Sequence, residues 1–162
     1  MKKLIFALAL SCGTTVYAAD EVPFKAAIHT NIEMMIPTQL CAPPSCLLLS
    51  ITGTGQGSHF GHMVIEGPSQ IVFAPGAQTG AQTGSSTLTA ADGSTMDISF
   101  EGTSFPGSTP EAATFEGVWT VVSGTGRFQG ESGSGTYEGS AAGPIGVLYL
   151  NGTLSNPGKK KK

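Results

Sequence analysis

Residues 121–140 read VVSGTGRFQGESGSGTYEGS, and this stretch decides how the chain is expected to fold. Its glycines, spread between Gly124 and Gly139, lack the Cβ atom that bars positive φ, so the backbone can turn tightly and bend. A helix here would lose about 1 kcal/mol for each glycine relative to alanine, and no apolar stripe at helical spacing offsets that loss. The stretch therefore predicts the end of a strand that contains Trp119, a tight turn, and a second, glycine-rich strand.

Residues 1–18 have the features of an export signal. A positively charged start precedes an apolar run, residues 4–10, and small residues follow at a cleavage site after Ala18. The run is too short to cross about 30 Å of hydrocarbon, and no later segment reaches about 18 apolar residues, so no membrane span is expected. The expected location is secreted or periplasmic. A lipoprotein anchored through Cys12 is the less favoured alternative.

The remaining chain, residues 19–158, suits one domain of about 140 residues, long enough to bury a core. Outside the signal and the terminal lysines, residues 159–162, the two bases Lys25 and Arg127 stand against 11 acids, a formal charge of −9. Nucleic acid is therefore not an expected partner, because that binding needs a basic surface. The lysine run is expected to be a solvated tail; the alternative is contact with an anionic surface.

Two cysteines remain after removal of the signal. Cys41 and Cys46 bracket Ala-Pro-Pro-Ser in an exported chain, so a disulfide between them is expected. Because the enclosed loop is short, the bond is expected to staple a local turn rather than to hold the fold together. A zinc pair is the alternative, but no second Cys or His pair lies at ligand spacing. No metal or other cofactor is expected.

Short apolar or alternating segments, separated by turn residues, recur along the chain at intervals of about 10 to 15 residues. The predicted strands are residues 24–35, 45–52, 58–66, 70–74, 87–91, 94–101, 114–123, 135–140 and 145–154. Gly67-Pro68 is predicted to be a turn, and Asp92-Gly93 a two-residue type I′ hairpin turn. Residues 75–84, with a tandem Gly-Ala-Gln-Thr, are predicted to form a mobile loop, and residues 103–110 another loop.

These strands, and the absence of an amphipathic helix in the mature chain, predict an all-β fold, either an antiparallel barrel or a sandwich. A closed antiparallel barrel of about eight strands with glycine-rich turns is the favoured form. Glycines within the strands suit the corners of a barrel, and closure removes the exposed edges that would make a secreted sheet aggregate.

Four glycine-containing segments carry a resemblance to a known group. They are residues 53–61 (GTGQGSHFG), 88–93 (LTAADG), 123–135 (SGTGRFQGESGSG) and 150–154 (LNGTL). Together they resemble the exported bacterial members of the calycin-like allene oxide cyclase-like barrel superfamily, whose relatives include plant dirigent proteins. The likeness covers most of residues 45–155. It implies a barrel, and an activity in which confinement shapes a reactive intermediate; no catalytic residue is carried over from it.

Few residues offer acid/base or charge chemistry. His29 and Glu33, four apart on the first predicted strand, share a face, and they are the catalytic candidates as an acid/base pair inside a cavity. Arg127 is the only arginine in the sequence. It is expected either to bind a ligand carboxylate or to form a structural pair with an acid such as Glu116 or Glu131.

His59 and His62 are three apart on a predicted strand, so they face opposite sides and do not suit one metal ion. One is expected inside the fold, making a hydrogen bond, and the other on the surface. His59 and Arg127, together with the aromatic residues Trp119 and Phe115, are the predicted ligand-binding residues.

Three functions follow from these features. The first is a non-enzymatic exported barrel that binds a small apolar ligand. The second is a cyclase or isomerase that acts by confinement in the barrel cavity, as the resemblance implies. The third is a structural or interaction protein in which residues 145–154, apolar on both faces, bury their outer face in a homo-oligomer. The non-enzymatic binding function is favoured, because an eight-stranded barrel leaves room for about one small molecule and the core is rich in Phe, Leu, Ile and Met.

Overall fold

The computed structural model describes residues 21–155, apart from residues 36, 40 and 110. The predicted export signal, the alternative lipidation site Cys12 and the predicted lysine tail lie outside the described residues.

The described chain is a closed barrel of eight antiparallel strands, so the predicted fold class is confirmed. The strands are β1 Val22–Met34, β2 Cys46–Gly57, β3 Gly61–Phe73, β4 Gly80–Ala90, β5 Thr95–Pro106, β6 Ala112–Gly124, β7 Gly133–Ala142 and β8 Ile145–Leu154. Each strand pairs with the next along the chain, and β1 pairs with β8, so no strand edge is left open. The described residues contain no α-helix, only a 3₁₀ helix at Gly126–Phe128.

Alternation of side chains along each strand separates the inside of the barrel from the outside. On β1, Phe24, Ala26, Ile28 and Thr30 are buried, and the residues between them are exposed. On β5, Ile98 and Phe100 face inward and the polar residues between and beside them face outward. The interior is therefore built from every second residue of the eight strands.

One end of the barrel is filled by aromatic side chains. We call it the closed end; here β1, β3, β5 and β7 begin. The ring of Phe60 stacks on Phe128 at 4.2 Å between centroids, and Phe24 contacts Phe60 at 5.6 Å. Trp119 meets Phe24 edge to face at 5.5 Å. All four side chains are at most 2% exposed, so no water reaches the interior from this end through them.

Inward aromatic rings lie against glycines of neighbouring strands. Trp119 is in register with Gly135 on β7, Gly135 with Gly152 on β8, and Gly152 with Phe24 on β1. A Cβ added at Gly152 would lie 2.7 Å from the indole atom Cζ2, and the indole N–H donates to the Thr136 carbonyl at 3.0 Å. The indole therefore runs along the wall, and the absence of a side chain at Gly152 makes room for it.

Two segments predicted as irregular are strand. Gly67-Pro68 lies inside one continuous strand, β3, so the predicted turn is wrong. Proline cannot donate to a sheet ladder, and the pairing of β3 with β4 accordingly has no partners at residues 67 and 68. The second half of the predicted loop over residues 75–84 is also strand, since Gly80–Ala90 pairs with both β3 and β5. Strand β5 likewise extends to Pro106, into the predicted loop 103–110.

The hairpin between β4 and β5 is confirmed, but its turn type is not type I′. Gly93 has φ +81°, whereas Asp92 has no positive φ, which type I′ requires at both central residues. The Gly93 N–H donates to the Ala90 carbonyl, and the Ala90 N–H donates to Ser94. This is a three-residue loop that ends in a left-handed glycine.

The disulfide between Cys41 and Cys46 is present, as predicted, and both cysteines are buried. It joins the segment after β1 to the first residue of β2, at the end of the barrel opposite the closed end. Among the described residues, no helix is long and apolar enough to cross a bilayer.

Removal of a ring from the closed end should destabilise the protein strongly. Phe128→Ala deletes a side chain that is 0% exposed and stacked on Phe60, so we expect a loss of about 3–5 kcal/mol in the free energy of unfolding. Val122→Ala removes a side chain that is 66% exposed on β6 and should cost at most about 1 kcal/mol. Urea unfolding of both variants measures their free energies of unfolding. Equal losses in the two variants would contradict the aromatic packing at the closed end.

Candidate ligand cavity

The other end of the barrel opens into a cavity of about 430 Å³. We call this end the mouth; here β1, β3, β5 and β7 end and β2, β4, β6 and β8 begin. Residues at the strand ends line the opening, among them Met34, Leu47, Phe73 and Pro106. The cavity extends inward as far as Trp119, whose other side contacts the closed-end ring of Phe24.

Most of the lining is apolar. Aliphatic side chains of β1, β2, β3 and β8 form one wall of the cavity: Ile32, Leu49, Ile51, Ile65, Ile71, Leu148 and Leu150. Polar groups are concentrated on the other wall, where Gln82 and Ser86 of β4, Ser104 of β5 and Tyr137 of β7 line the space. The cavity thus has an apolar side and a side that offers hydrogen bonds.

The polar wall contains a chain of hydrogen bonds. The Tyr137 hydroxyl donates to Oε1 of Gln82 at 3.1 Å, and Nε2 of Gln82 donates to the Ser69 hydroxyl at 3.1 Å. All three residues are at most 5% exposed. Buried polar groups are costly unless they are paired, so the chain stabilises an inward-facing polar site within an apolar barrel.

Glycines place the Tyr137 hydroxyl next to Gln82. Tyr137 is in register with Gly117 on β6, Gly117 with Gly102 on β5, and Gly102 with Gln82 on β4. A Cβ at Gly117 would lie 2.6 Å from the tyrosine ring, and one at Gly102 would lie 2.5 Å from its hydroxyl oxygen. The side chain therefore lies across both glycines along the wall.

Two phenylalanines hold the tyrosine ring in this orientation. Phe100 packs edge to face on Tyr137 with 5.6 Å between ring centroids, and Phe115 lies at 6.4 Å. Both also line the cavity. Burial, with a smaller effect of the Glu101 carboxylate, raises the pKa of Tyr137 from 10.0 to about 12. At neutral pH the hydroxyl is therefore protonated.

Thr30 places a further hydroxyl group on the barrel wall near the mouth. The residue lines the cavity and is 5% exposed, and its Oγ1 atom is buried without a hydrogen-bond partner. It is in register with Gly146, where an added Cβ would lie 2.7 Å from that oxygen. The absence of a side chain at Gly146 therefore makes room for the hydroxyl.

The mouth has an apolar surround. Several of the exposed large apolar side chains of the barrel lie at or next to strand ends at the mouth: Met34, Met35, Val72, Phe105 and Ile145. Among the cavity-lining residues that the structure describes, Glu111 is the only acidic one, and it is exposed. An apolar molecule that enters the cavity would pass apolar side chains and one carboxylate.

The predicted acid/base pair does not lie in the cavity. His29 and Glu33 do share a face of β1, but both are exposed on the outside of the barrel, so their predicted position inside a cavity is wrong. The inward positions of this strand are the alternate residues, among them Ile28 and Thr30. Strand alternation excludes residues 29 and 33 from the interior for that reason.

Arg127 lies at the closed end, not in the cavity. Its Nε atom is 3.5 Å from Oδ2 of Asp92, its guanidinium donates to the Phe60 carbonyl at 3.2 Å, and it lies over the Phe128 ring. The hydrogen bond from the Ser94 backbone, with a smaller contribution from Arg127, lowers the pKa of Asp92. Of the two expected roles of Arg127, the structure shows the pair with an acidic residue, and its partner in that ion pair is Asp92.

The two histidines also lie away from the cavity. Residues 58–60 form a turn, in which His59 has φ +67°, so the strand predicted from residue 58 begins at Gly61 instead. His59 and His62 are both exposed, and the prediction that one of them lies inside is wrong. His59 Nε2 is 3.1 Å from the Pro23 carbonyl oxygen. In the described part of the chain, no three His, Cys, Asp or Glu side chains are grouped to hold a metal ion.

Trp119 and Phe115, the other predicted ligand-binding residues, both line the cavity. Sequence reasoning missed Tyr137, Gln82 and Ser69. Tyr137 carried a usable signal, since the other inward positions of β7 are glycine or alanine and it is the one large inward side chain there. Gln82 has no such signal, because the composition of residues 75–84 predicts a loop.

Comparisons of the chain with protein families, with curated proteins and with solved structures found no match.

The raised pKa of Tyr137 predicts a loss of stability at alkaline pH. An unfolded tyrosine ionises near pH 10.0, whereas Tyr137 in the barrel ionises at about 12. The stabilisation is complete below pH 10 and is lost as the pH rises through 12, because only the unfolded state releases the proton in that window. Urea unfolding should show the wild type losing stability there relative to Tyr137→Phe.

Phenolate absorbance supplies the second measurement. The difference in absorbance between wild type and Tyr137→Phe should develop around pH 12. Development around pH 10, with parallel stability profiles for the two proteins, would contradict the burial of this hydroxyl.

Proposed function

We propose that this protein is an exported, non-enzymatic barrel that binds one small, mostly apolar molecule in its cavity. The observation that carries the proposal is the cavity of about 430 Å³, closed at one end by aromatic rings and open at the other. Its size falls within the range of about 300–1,000 Å³ that is typical of small-molecule sites. An eight-stranded barrel is wide enough to be filled by its own side chains or to hold one such ligand.

The lining supplies the energy of binding. Each 100 Å² of apolar ligand surface removed from water contributes about 2.5 kcal/mol, which must exceed the cost of immobilising the ligand. The cavity walls are rigid elements, since every strand is paired on both sides and the aromatic rings are packed against glycines. A preformed site loses little of the binding energy to rearrangement.

The disulfide supports an exported location. Cys41 and Cys46 are bonded next to the mouth, and such bonds persist in the periplasm and outside the cell but are rare in the reducing cytosol. This agrees with the export signal expected from residues 1–18.

A cyclase or isomerase that acts by confinement is the second candidate. The observation in its favour is that a polar group, the Tyr137 hydroxyl with its Gln82 partner, faces an enclosed apolar space. The resemblance to allene oxide cyclase-like barrels points the same way. The non-enzymatic proposal is preferred because the sequence-predicted acid/base residues, His29 and Glu33, lie outside the cavity.

Binding of the neutral dye Nile red tests the proposal. The wild type should bind the dye at a saturable site, with enhanced dye fluorescence. Ala141 lines the cavity near the mouth, whereas Ala142, the next residue of β7, is exposed on the outside. Ala141→Trp fills part of the cavity and should weaken binding at least about tenfold, a loss of about 1.4 kcal/mol. The matched variant Ala142→Trp should bind as the wild type does.

Circular dichroism checks that both variants remain folded. Failure of the wild type to bind the dye saturably, or equal binding by two folded variants, would contradict the proposal.

A further inference from the structure

We propose that the cavity selects a neutral ligand that carries a hydroxyl group, and that this hydroxyl binds at the chain formed by Tyr137, Gln82 and Ser69. The inference rests on the proposed ligand-binding function and names the chemical class of the ligand. It follows from three features of the described residues: the charges of the lining, the direction of the hydrogen bonds and the position of the polar wall.

The described part of the lining offers no positive charge. Among the described residues around the cavity, none is lysine, arginine or histidine. Lys25 is exposed on the outside of β1, and Arg127 is at the closed end, paired with Asp92. A ligand carboxylate in this apolar space would lose its hydration without gaining a counter-ion, which opposes its binding.

The single acidic lining residue adds to this discrimination. Glu111 lies at the mouth, between β5 and β6, and an ionised carboxylate there repels an approaching anion. A fatty acid anion is therefore opposed both at the entrance and inside the cavity, whereas a neutral molecule meets neither obstacle.

The direction of the hydrogen-bond chain favours a donor on the ligand. The hydrogen of the Tyr137 hydroxyl is used in the bond to Gln82, and Gln82 in turn donates to Ser69. The phenolic oxygen keeps a lone pair, so it can accept a hydrogen bond from a ligand without breaking the chain. A ligand hydroxyl supplies that donor, whereas an ether or a hydrocarbon does not.

The position of the hydrogen bonds between Tyr137, Gln82 and Ser69 determines where the apolar part of the ligand lies. Tyr137 and Gln82 lie on β7 and β4. The wall formed by β1, β2, β3 and β8 is apolar apart from the Thr30 hydroxyl, with Ile32, Leu49 and Leu148 among its members. A ligand hydroxyl at Tyr137 leaves the apolar body against that wall. The burial that keeps Tyr137 protonated also keeps its hydrogen-bonding pattern constant over the physiological pH range.

Displacement of Nile red by three matched lipids tests this. The lipids are dodecanol, dodecyl methyl ether, which has an oxygen acceptor and no donor, and dodecanoate, which is charged. Dodecanol should displace the dye at a concentration at least about fivefold below that of either other lipid, as expected for one hydrogen bond. Tyr137→Phe should reduce the preference over the ether to within about twofold.

Two further variants keep the result interpretable. Tyr149→Phe removes a hydroxyl from the outer surface of β8 and should leave the preference unchanged. If Tyr137→Phe is unstable because Gln82 loses its partner, the double variant Tyr137→Phe/Gln82→Leu removes both groups and should show the same loss of preference.

Equal displacement by the alcohol and the ether in the wild type would overturn the inference, as would tighter binding of dodecanoate. So would a preference for the alcohol that survives both Tyr137 variants. In these cases Nile red still binds, and the proposed ligand-binding function stands. Absence of dye binding by the wild type would overturn that function, and this inference with it.

Discussion

The contact between inward aromatic rings and glycines of neighbouring strands is the constraint on which the interior of this barrel depends. Phe73 is in register with Gly80, Phe100 with Gly84 and Phe115 with Gly139, and in each case an added Cβ would meet the ring. Tyr137 lies across two such glycines, Gly117 and Gly102, and the Trp119 indole lies against Gly152. Large side chains that pointed straight inward would fill an eight-stranded barrel. Rings that lie along the wall leave space for a ligand.

The same arrangement divides the molecule along its axis. At the closed end, Phe24, Phe60, Phe128 and Trp119 contact one another and fill the interior. Toward the mouth, rings and glycines alternate around the wall, and the space between them is the cavity. The ion pair between Arg127 and Asp92 lies at the closed end, and neither residue lines the cavity. The packed aromatic rings and the cavity thus occupy different ends of one barrel.

Much of the fold could be predicted because local sequence decides it: the strands predicted over residues 94–101 and 114–123, and the Cys41–Cys46 bond. The structure of the tandem Gly-Ala-Gln-Thr could not be predicted, because the two copies have the same sequence, yet the first lies in a loop and the second, from Gly80, is strand. The second copy is strand because it pairs with β3 and β5, and residue composition gives no information about that pairing. Alternation places Phe115 and Trp119 on one face of the strand predicted over residues 114–123. Gln82 lies in the segment 75–84, for which the sequence predicts a loop, so it is not a predicted site residue. Alternation also carried the information that His29 faces outward, since Phe24, Ala26 and Ile28 mark the inner face.

Nuclear Overhauser effects between aromatic ring protons and glycine Hα protons test the ring-on-glycine arrangement most directly in solution. Cross-peaks should join Phe115 to Gly139, Phe100 to Gly84 and Tyr137 to Gly117, because these groups are in contact. Gly53 and Gly55 supply the internal control, since the nearest side-chain and backbone atoms to them belong to no aromatic residue. Cross-peaks from the Phe115 and Tyr137 rings to Leu49 and Ile51 on β2, in place of those to the glycines, would show that the rings cross the interior. That result would contradict an open cavity.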